Sequence, residues 1–287
     1  MRRSRSRGRH ATLLAFWDYD TQWGGDRSRL PGGPKPWGPL DFEYTEQLLE
    51  LHDRYAIPAC FAAVGAAALP GARPYHDPAQ IRRIHEAGHE IASHAFKHEW
   101  IPGLGLHAVR TVLRDSKDAL EQCIGAAVVS FVPPYNQPFD YARAGSISLT
   151  ERREAGRDRV DLRTLCELLA ETGYLFCRVA YRPIHLRAAE LLFRRRFDRP
   201  RRAITIAGVM CVRLNTPCGF GAQSTAMLRR CAAKGGIVAL YGHPHSLHAG
   251  NDQDERALVP LLERAWQLRR EGKLRITLPR RLVSPPD

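Results

Sequence analysis

The chain has 287 residues, of which 44% are hydrophobic, so it is long enough to bury a sizeable core. Its formal charge of +13 is concentrated in two arginine clusters, at residues 1–10 and 191–202. We interpret these clusters as a solvated tail and a solvated loop, and we do not expect a nucleic-acid partner, because the rest of the chain has an ordinary charge balance. The seven cysteines are scattered and form no C-x-x-C pair, which argues against a disulfide framework and a thiolate zinc site and for a reducing compartment.

The amino terminus is basic, but the apolar run that follows it, "ATLLAFW" (11–17), is short and is followed by Asp18 and Asp20. This is not the pattern of a signal peptide, and no stretch approaches the ~18 apolar residues of a membrane span. We therefore expect a cytoplasmic protein without a transmembrane segment.

Short β-type runs alternate with longer helical patterns along the chain. The predicted strands are 11–17, 57–65, 89–93, 126–132, 174–180, 208–215, 237–243 and 273–278. The predicted helices are 42–55, 77–88, 107–125, 161–173, 222–236 and 254–272. About seven strand–helix units with continuously apolar strands predict a parallel sheet covered by helices, and this count favours closure into a barrel over an open sheet.

No repeat or internal linker divides the chain. We expect a disordered basic tail at 1–10 and a single domain at 11–287, with an Arg-rich insertion near 181–204. The Gly/Pro-rich stretch 23–38 is long for a loop, and we expect it to cap the functional site.

Polar side chains follow four of the predicted strands, and in a barrel the carboxyl ends of the strands carry the chemistry. "FWDYD" places Asp18 and Asp20 after the first strand, and "SHAFKH" places His94 and His98 after the third. "PPYNQP" and "GHPHSL" follow two later strands. Residues 94 and 98 can face one point if the segment turns helically, and two imidazoles with one carboxylate form the ligand pattern of catalytic zinc and related divalent sites.

These ordered motifs resemble those of the polysaccharide deacetylases, carbohydrate esterase family 4, from about residue 12 to residue 280. "FWDYD" resembles the first motif, which implies Asp18 as the catalytic base and Asp20 as a metal ligand, although the family more often has adjacent aspartates. "GHEIASHAFKH" resembles the second motif and implies His94 and His98 as metal ligands, whereas His89 falls outside it.

The later motifs complete the resemblance. "SFVPPYN" resembles the third motif and implies that the backbone N–H of Tyr135 helps to bind the oxyanion. Val132 stands where the family usually has an arginine that orients the base, so the sequence assigns no partner to that base. "ALYGHPHSL" resembles the final motif and implies His243 as the general acid, with His245 expected to be exposed beyond Pro244. The family's fold is a distorted (β/α) barrel, with the active site at the C-terminal strand ends, which agrees with the predicted strands.

The resemblance implies a metal-dependent hydrolase that removes an N-acyl group, with zinc as the first expectation and cobalt, nickel or manganese as alternatives. We expect an intracellular N-acylated amino sugar or related small molecule as substrate, free or linked to a nucleotide or lipid. Four aromatic residues near the first motif are candidates either for sugar stacking or for the core: Trp17, Tyr19, Trp23 and Trp37.

Two other functions stay open. One is a deformylase or another small-molecule amidase on the same fold. The other is a non-catalytic protein that binds carbohydrate or nucleic acid. Asp18 and His243 argue against the second, because binding alone requires neither a base nor an acid.

Overall fold

A computed structural model describes residues 11–137, 160–180, 188–189, 192–193, 200, 202–216, 218–248, 250 and 253–283. The predicted basic tail and most of the predicted insertion at 181–204 lie outside these residues. The strands of the described part are β1 (Ala11–Tyr19), β2 (Cys60–Ala63), β3 (Glu90–Ser93), β4 (Ser130–Phe131), β5 (Phe176–Val179), β6 (Ile204–Ile206), β7 (Val209–Arg213), β8 (Gly236–Gly242) and β9 (Arg275–Ile276).

The α-helices of the same residues are α1 (Thr21–Asp26), α2 (Trp37–Arg54), α3 (Pro78–Glu86), α4 (Leu106–Ile124), α5 (Leu162–Glu171), α6 (Ala222–Lys234), α7 (Glu255–Arg270) and α8 (Arg280–Val283). Three of them are preceded by an N-cap aspartate whose carboxylate accepts the backbone N–H three residues later: Asp77, Asp161 and Asp254. None of the described helices combines the length and apolarity that a membrane crossing requires.

Seven parallel strands form one curled sheet in the order β7-β5-β4-β3-β2-β1-β8. At one edge β6 pairs antiparallel with β7, and β9 pairs with the start of β1. Helices pack against the outer face of this half-barrel in one large apolar cluster. The predicted distorted (β/α) barrel of about seven parallel strands is therefore confirmed.

Differences from the predicted elements lie mainly at boundaries and in the stretch 23–38. The prediction of a loop was wrong for its two ends, because α1 extends to Asp26 and α2 begins at Trp37. Two glycines lower the helix propensity of α1, but they allow it to pack closely. A Cβ atom on Gly24 would lie 2.6 Å from the Cβ atom of Asp20.

Strand alternation aims polar side chains into the mouth of the barrel. Successive strand residues point to opposite faces, and in β1 Leu13 and Trp17 pack outward whereas Leu14 and Phe16 pack inward. The residue two positions beyond an inward-facing apolar residue therefore also faces inward. Four strands place a polar residue at this position: Asp18 after Phe16, His94 after Ala92, Arg178 after Phe176, and His243 after Tyr241.

Candidate metal and catalytic site

A cavity of about 400 Å³ opens at the carboxyl ends of the strands. All six residues singled out from the motifs line it: Asp18, Asp20, His94, His98, Tyr135 and His243. Of the four aromatic candidates, Trp37 lines the cavity. Trp17 and Tyr19 belong to the outer apolar cluster, and Trp23 packs on Tyr75. Trp17 and Tyr19 are therefore core residues.

Asp20, His94 and His98 lie close enough to share one metal ion. One ligand atom from each residue lies within 4.8 Å of the others, and all three side chains are buried. The Nε2 atoms of His94 and His98 are 3.3 Å and 3.6 Å from Oδ1 of Asp20. The acid follows β1 and the first histidine follows β3, so the sheet itself sets this geometry.

The hydrogen bonds of these residues fit a cation. His94 Nδ1 lies 2.7 Å from the carbonyl oxygen of Val132 and donates a proton to it, so Nε2 is the ring nitrogen that faces Asp20. Burial opposes a charge on His94, but Asp20 raises the pKa of this imidazole. Burial lowers the pKa of His98 to about 4, which keeps this imidazole in the neutral form that binds metals. Oδ1 of Asp20 is buried without a hydrogen-bond donor among the described residues. A positive charge is required between these acceptor atoms, and a metal ion or a proton can supply it.

Asp18 is paired with an arginine that the motifs did not identify. Nη1 and Nη2 of Arg178 donate to the two carboxylate oxygens of Asp18 at 2.6 Å each, and Nη2 also donates to Asn136 at 2.9 Å. Arg178 is fully buried, and its guanidinium lies over the Tyr241 ring at 4.5 Å. Burial alone would raise the pKa of Asp18, but the guanidinium outweighs this effect and holds that pKa below its usual value.

Arg178 takes the position of partner to Asp18, which the sequence left unassigned because Val132 stands where an arginine was expected. Arg178 lies on β5, whereas Val132 follows β4, so the cation reaches the same carboxylate from the neighbouring strand. The sequence did carry a signal, because "YLFCRVA" is an apolar strand interrupted by one charge. A buried charge of this kind requires a partner, and the carboxylates at strand ends were the available candidates.

His243 faces Asp18 across the cavity. Its Nε2 atom is 3.9 Å from Oδ2 of Asp18, and its Nδ1 atom lies 3.1 Å from Oε1 of Gln253 and 3.3 Å from Sγ of Cys218. Gln253 also accepts the backbone N–H of His243 at 2.8 Å. Burial disfavours a charge here, but the neighbouring Cys218 and Asp20 raise the pKa of His243 to about 9, so the ring carries a proton at neutral pH.

The expectation that His245 is exposed was wrong. This residue is only 6% exposed, lines the cavity, and lies with Nδ1 3.1 Å from Oδ1 of Asp41. The polar sequence after Pro244 indicated exposure, whereas the fold packs this segment against α2, which carries Asp41.

Backbone strain concentrates around the same cavity. Five residues that are not glycine have left-handed backbones at or just beyond the ends of β1, β3 and β4: Thr21, Ala95, His98, Tyr135 and Asn136. Such conformations are uncommon outside glycine and cluster at functional sites. For Tyr135, φ is 57°, and its ring packs edge-on against His98 at 4.6 Å.

His89 belongs to a different part of the barrel. It precedes β3, whereas His94 follows that strand, so the two imidazoles lie at opposite ends of it. Nδ1 of His89 accepts the backbone N–H of Ala59 at 3.1 Å, and burial lowers the pKa of His89 to about 4. These contacts agree with a structural role for this residue.

Comparisons with known proteins match part of the sequence to a family model and the fold to solved structures. The family model described as polysaccharide deacetylase matches residues 37–150. A candidate polysaccharide deacetylase from Mycobacterium smegmatis has a similar fold with a TM-score of 0.64 at 19% identity, covering 98% of this chain and 91% of that one. The PuuE allantoinase is similar with a TM-score of 0.61 at 15% identity, covering 96% of this chain and 90% of that one. The sequence match confirms, over residues 37–150, the resemblance indicated by the motifs, and the structural similarity shows that the chain has the fold of these proteins.

Proposed function

We propose that the protein is a metal-dependent amide hydrolase that removes an N-acyl group, acetyl in the first instance, from an intracellular N-acylated amino sugar. The family match implies a deacetylase-type hydrolase. The observation that carries the finer proposal is the convergence of Asp20, His94 and His98 in one cavity with Asp18 and His243. The seven free cysteines support the intracellular location.

Asp20, His94 and His98 would hold a divalent ion. Zinc is the first expectation, and cobalt, nickel or manganese suit the same imidazole and carboxylate donors. A bound ion of this kind polarises a substrate carbonyl and lowers the pKa of a bound water.

Asp18 would act as the base. Its carboxylate takes the proton from the water that attacks the acyl carbon. Arg178 fixes both oxygens of Asp18 and keeps the group ionised, so the base is available at neutral pH and cannot rotate out of place.

His243 and Tyr135 would complete the reaction. The tetrahedral oxyanion accepts a hydrogen bond from the backbone N–H of Tyr135. An amine leaves poorly unless it is protonated, and His243 lies on the other side of Asp18 with a proton to donate. Water is thereby added across the C–N bond, and the products are a free amine and a carboxylate.

Product analysis tests this proposal. Purified protein is incubated with matched N-acetyl and N-formyl amino sugars, and released acetate, formate and amine are quantified, with Asp18→Asn as the matched control. We expect acetate and amine in equal amounts from the wild type and a loss of about 10²–10⁴-fold in the variant. Absence of both acids across the panel would refute the proposal.

A smaller amide is the second candidate. The cavity of about 400 Å³ is of a size that suits a small molecule. One structural relative is an allantoinase, a protein named for a small-molecule substrate. Formate release without acetate release, or turnover of small amides alone, would assign the protein to this class.

A further inference from the structure

His245 and Asp41 form a buried pair beside the site, and none of the steps above uses it. Asp41 is fully buried. Its carboxylate accepts the backbone N–H of Thr21 at 2.7 Å and that of His245 at 2.8 Å, and its Oδ1 atom lies 3.1 Å from Nδ1 of the same histidine. The pair therefore ties α1 and α2 to the loop that carries His243.

The pair places a hydrogen-bond donor, the His245 imidazole, at the cavity. Burial raises the pKa of Asp41 above its usual value, whereas the two backbone N–H groups and the His245 imidazole favour its ionised form. Burial opposes a charge on the histidine, but this carboxylate raises the pKa of His245. Because Asp41 engages Nδ1, the ring nitrogen left to serve a ligand is Nε2.

Trp37 holds this imidazole in one orientation. The Trp37 and His245 rings are stacked with centroids 4.2 Å apart and planes 6° apart, and both side chains line the cavity. The His243 ring lies 5.0 Å from the His245 ring. A group bound at His245 would therefore sit next to the leaving-group side of the reaction.

The charges that line the cavity favour an anionic ligand. Arg178 neutralises Asp18, and the proposed ion would neutralise Asp20. Arg29 also lines the cavity, with its guanidinium 4.3 Å from the Trp100 ring centroid. Cationic groups in a half-enclosed space raise the local concentration of anions and form the stronger, charge-assisted hydrogen bonds.

We propose that His245, backed by Asp41 and stacked on Trp37, forms a subsite that binds an anionic group of the substrate, a phosphate or a carboxylate attached to the amino sugar. The amino-sugar part of this assignment rests on the function proposed above. The subsite gives a role to His245, which is neither a metal ligand nor the proposed general acid but is buried and paired with Asp41.

Equilibrium binding of deacylated ligands tests the subsite without turnover. Titration calorimetry on the metal-loaded protein compares glucosamine with glucosamine 6-phosphate and with muramic acid, which carries a carboxylate. We expect at least one anionic ligand to bind about tenfold more tightly than glucosamine, the size of one charge-assisted hydrogen bond. The better of the two ligands identifies the anion.

His245→Gln should abolish this preference, so that the anionic ligands bind no more tightly than glucosamine, which lacks the anionic group. His107→Gln is the matched control, because His107 is exposed in the first turn of α4 and does not line the cavity. Thermal unfolding midpoints verify that the variants are folded, and His245→Asn serves as a second replacement if the first unfolds.

Two results would overturn the subsite: no preference for either anionic ligand in the wild type, or an unchanged preference in the His245 variants. Acetate release from neutral N-acetylglucosamine tests the catalytic proposal separately. If the protein prefers the anionic ligands but releases no acyl group, the proposed subsite stands and the proposed function is refuted.

Discussion

Asp18 and Arg178 lie 160 positions apart in the sequence and are joined by two parallel hydrogen bonds of 2.6 Å at the mouth of the barrel. Both side chains are almost completely buried. The planar guanidinium matches both oxygens of the carboxylate, which fixes its orientation as well as its charge. The candidate base is thus oriented from β5, the strand next to the one that precedes Val132.

Replacement of Arg178 tests this orientation. Arg178→Lys keeps the positive charge but loses the two-pronged contact, so we expect kcat to fall by about tenfold or more while the bound metal is retained. Arg178→Gln also removes the charge. The pKa of Asp18 should then rise, and the acid limb of the kcat/KM profile should move to higher pH. Arg178→Gln should additionally destabilise the fold by about 3–5 kcal/mol, because it leaves a buried carboxylate unpaired.

The control for these variants is Arg110→Lys, an exposed arginine paired with Glu171 on the outside of the barrel. This change should leave kcat and its pH profile unaltered. An Arg178→Lys enzyme with wild-type kcat would show that the bidentate pairing does not orient a catalytic group.

Variants of Asp18 and Asp20 should differ in their metal content. Asp18→Asn should retain the ion and lose turnover, whereas Asp20→Asn should lose the ion, because of these two aspartates it is Asp20 that groups with His94 and His98. Elemental analysis of the purified variants measures this directly. If Asp18→Asn is metal-free and Asp20→Asn is loaded, the roles of the two residues are exchanged.

His243 should matter most when the leaving group needs a proton. His243→Ala is expected to suppress amide cleavage by about 10²–10⁴-fold. The same variant should cleave an activated aryl ester with a much smaller loss, since a phenolate departs without protonation. Parallel assays of an amide and an ester measure the loss of activity of His243→Ala on each substrate. Equal losses on both would argue against a general-acid role for His243.

The buried carboxyl group of Glu90 should make the free energy of unfolding depend on pH. It is 3% exposed and accepts hydrogen bonds from Ser130 and from the backbone N–H of Arg280, and burial raises its pKa from 4.5 to about 7. Between these values the folded state holds a proton that the unfolded state has lost. This group therefore lowers the free energy of unfolding as the pH rises through the window.

Glu90→Gln removes that dependence. The free energy of unfolding of the variant, relative to the wild type, should rise by roughly 1–3 kcal/mol between pH 4.5 and pH 8. Urea denaturation at several pH values measures it, with Glu86→Gln, an exposed residue of α3, as the control. Parallel stability curves for the wild type and Glu90→Gln would contradict the assignment.

The sequence predicted the residues that follow strands better than the contacts between distant strands. Asp18 and Asp20 are two apart at the end of a strand, so the alternation of side chains places both on the inward face, and Tyr19 between them packs outward. His94 and His243 follow the same rule.

The residues that support the site were harder to predict. The pairing of Arg178 with Asp18 depends on the curl of the sheet, which brings β5 and β1 to one cavity although three strands separate them. Asp41 lies within a helix whose beginning was predicted five residues too late, so its burial against His245 had no signature in the local pattern. Such pairs are set by tertiary packing, which hydrophobic periodicity does not encode.

The measurement that tests the central claim most directly is activity as a function of bound metal. The ion is removed with a chelator and restored in steps with zinc, cobalt, nickel or manganese, while acetate release from N-acetyl amino sugars is followed in the wild type and in His98→Ala. We predict that activity rises linearly to one ion per chain in the wild type, and that His98→Ala neither binds the ion nor regains activity while remaining folded. Full activity in the metal-free protein, or full occupancy in His98→Ala, would contradict the account.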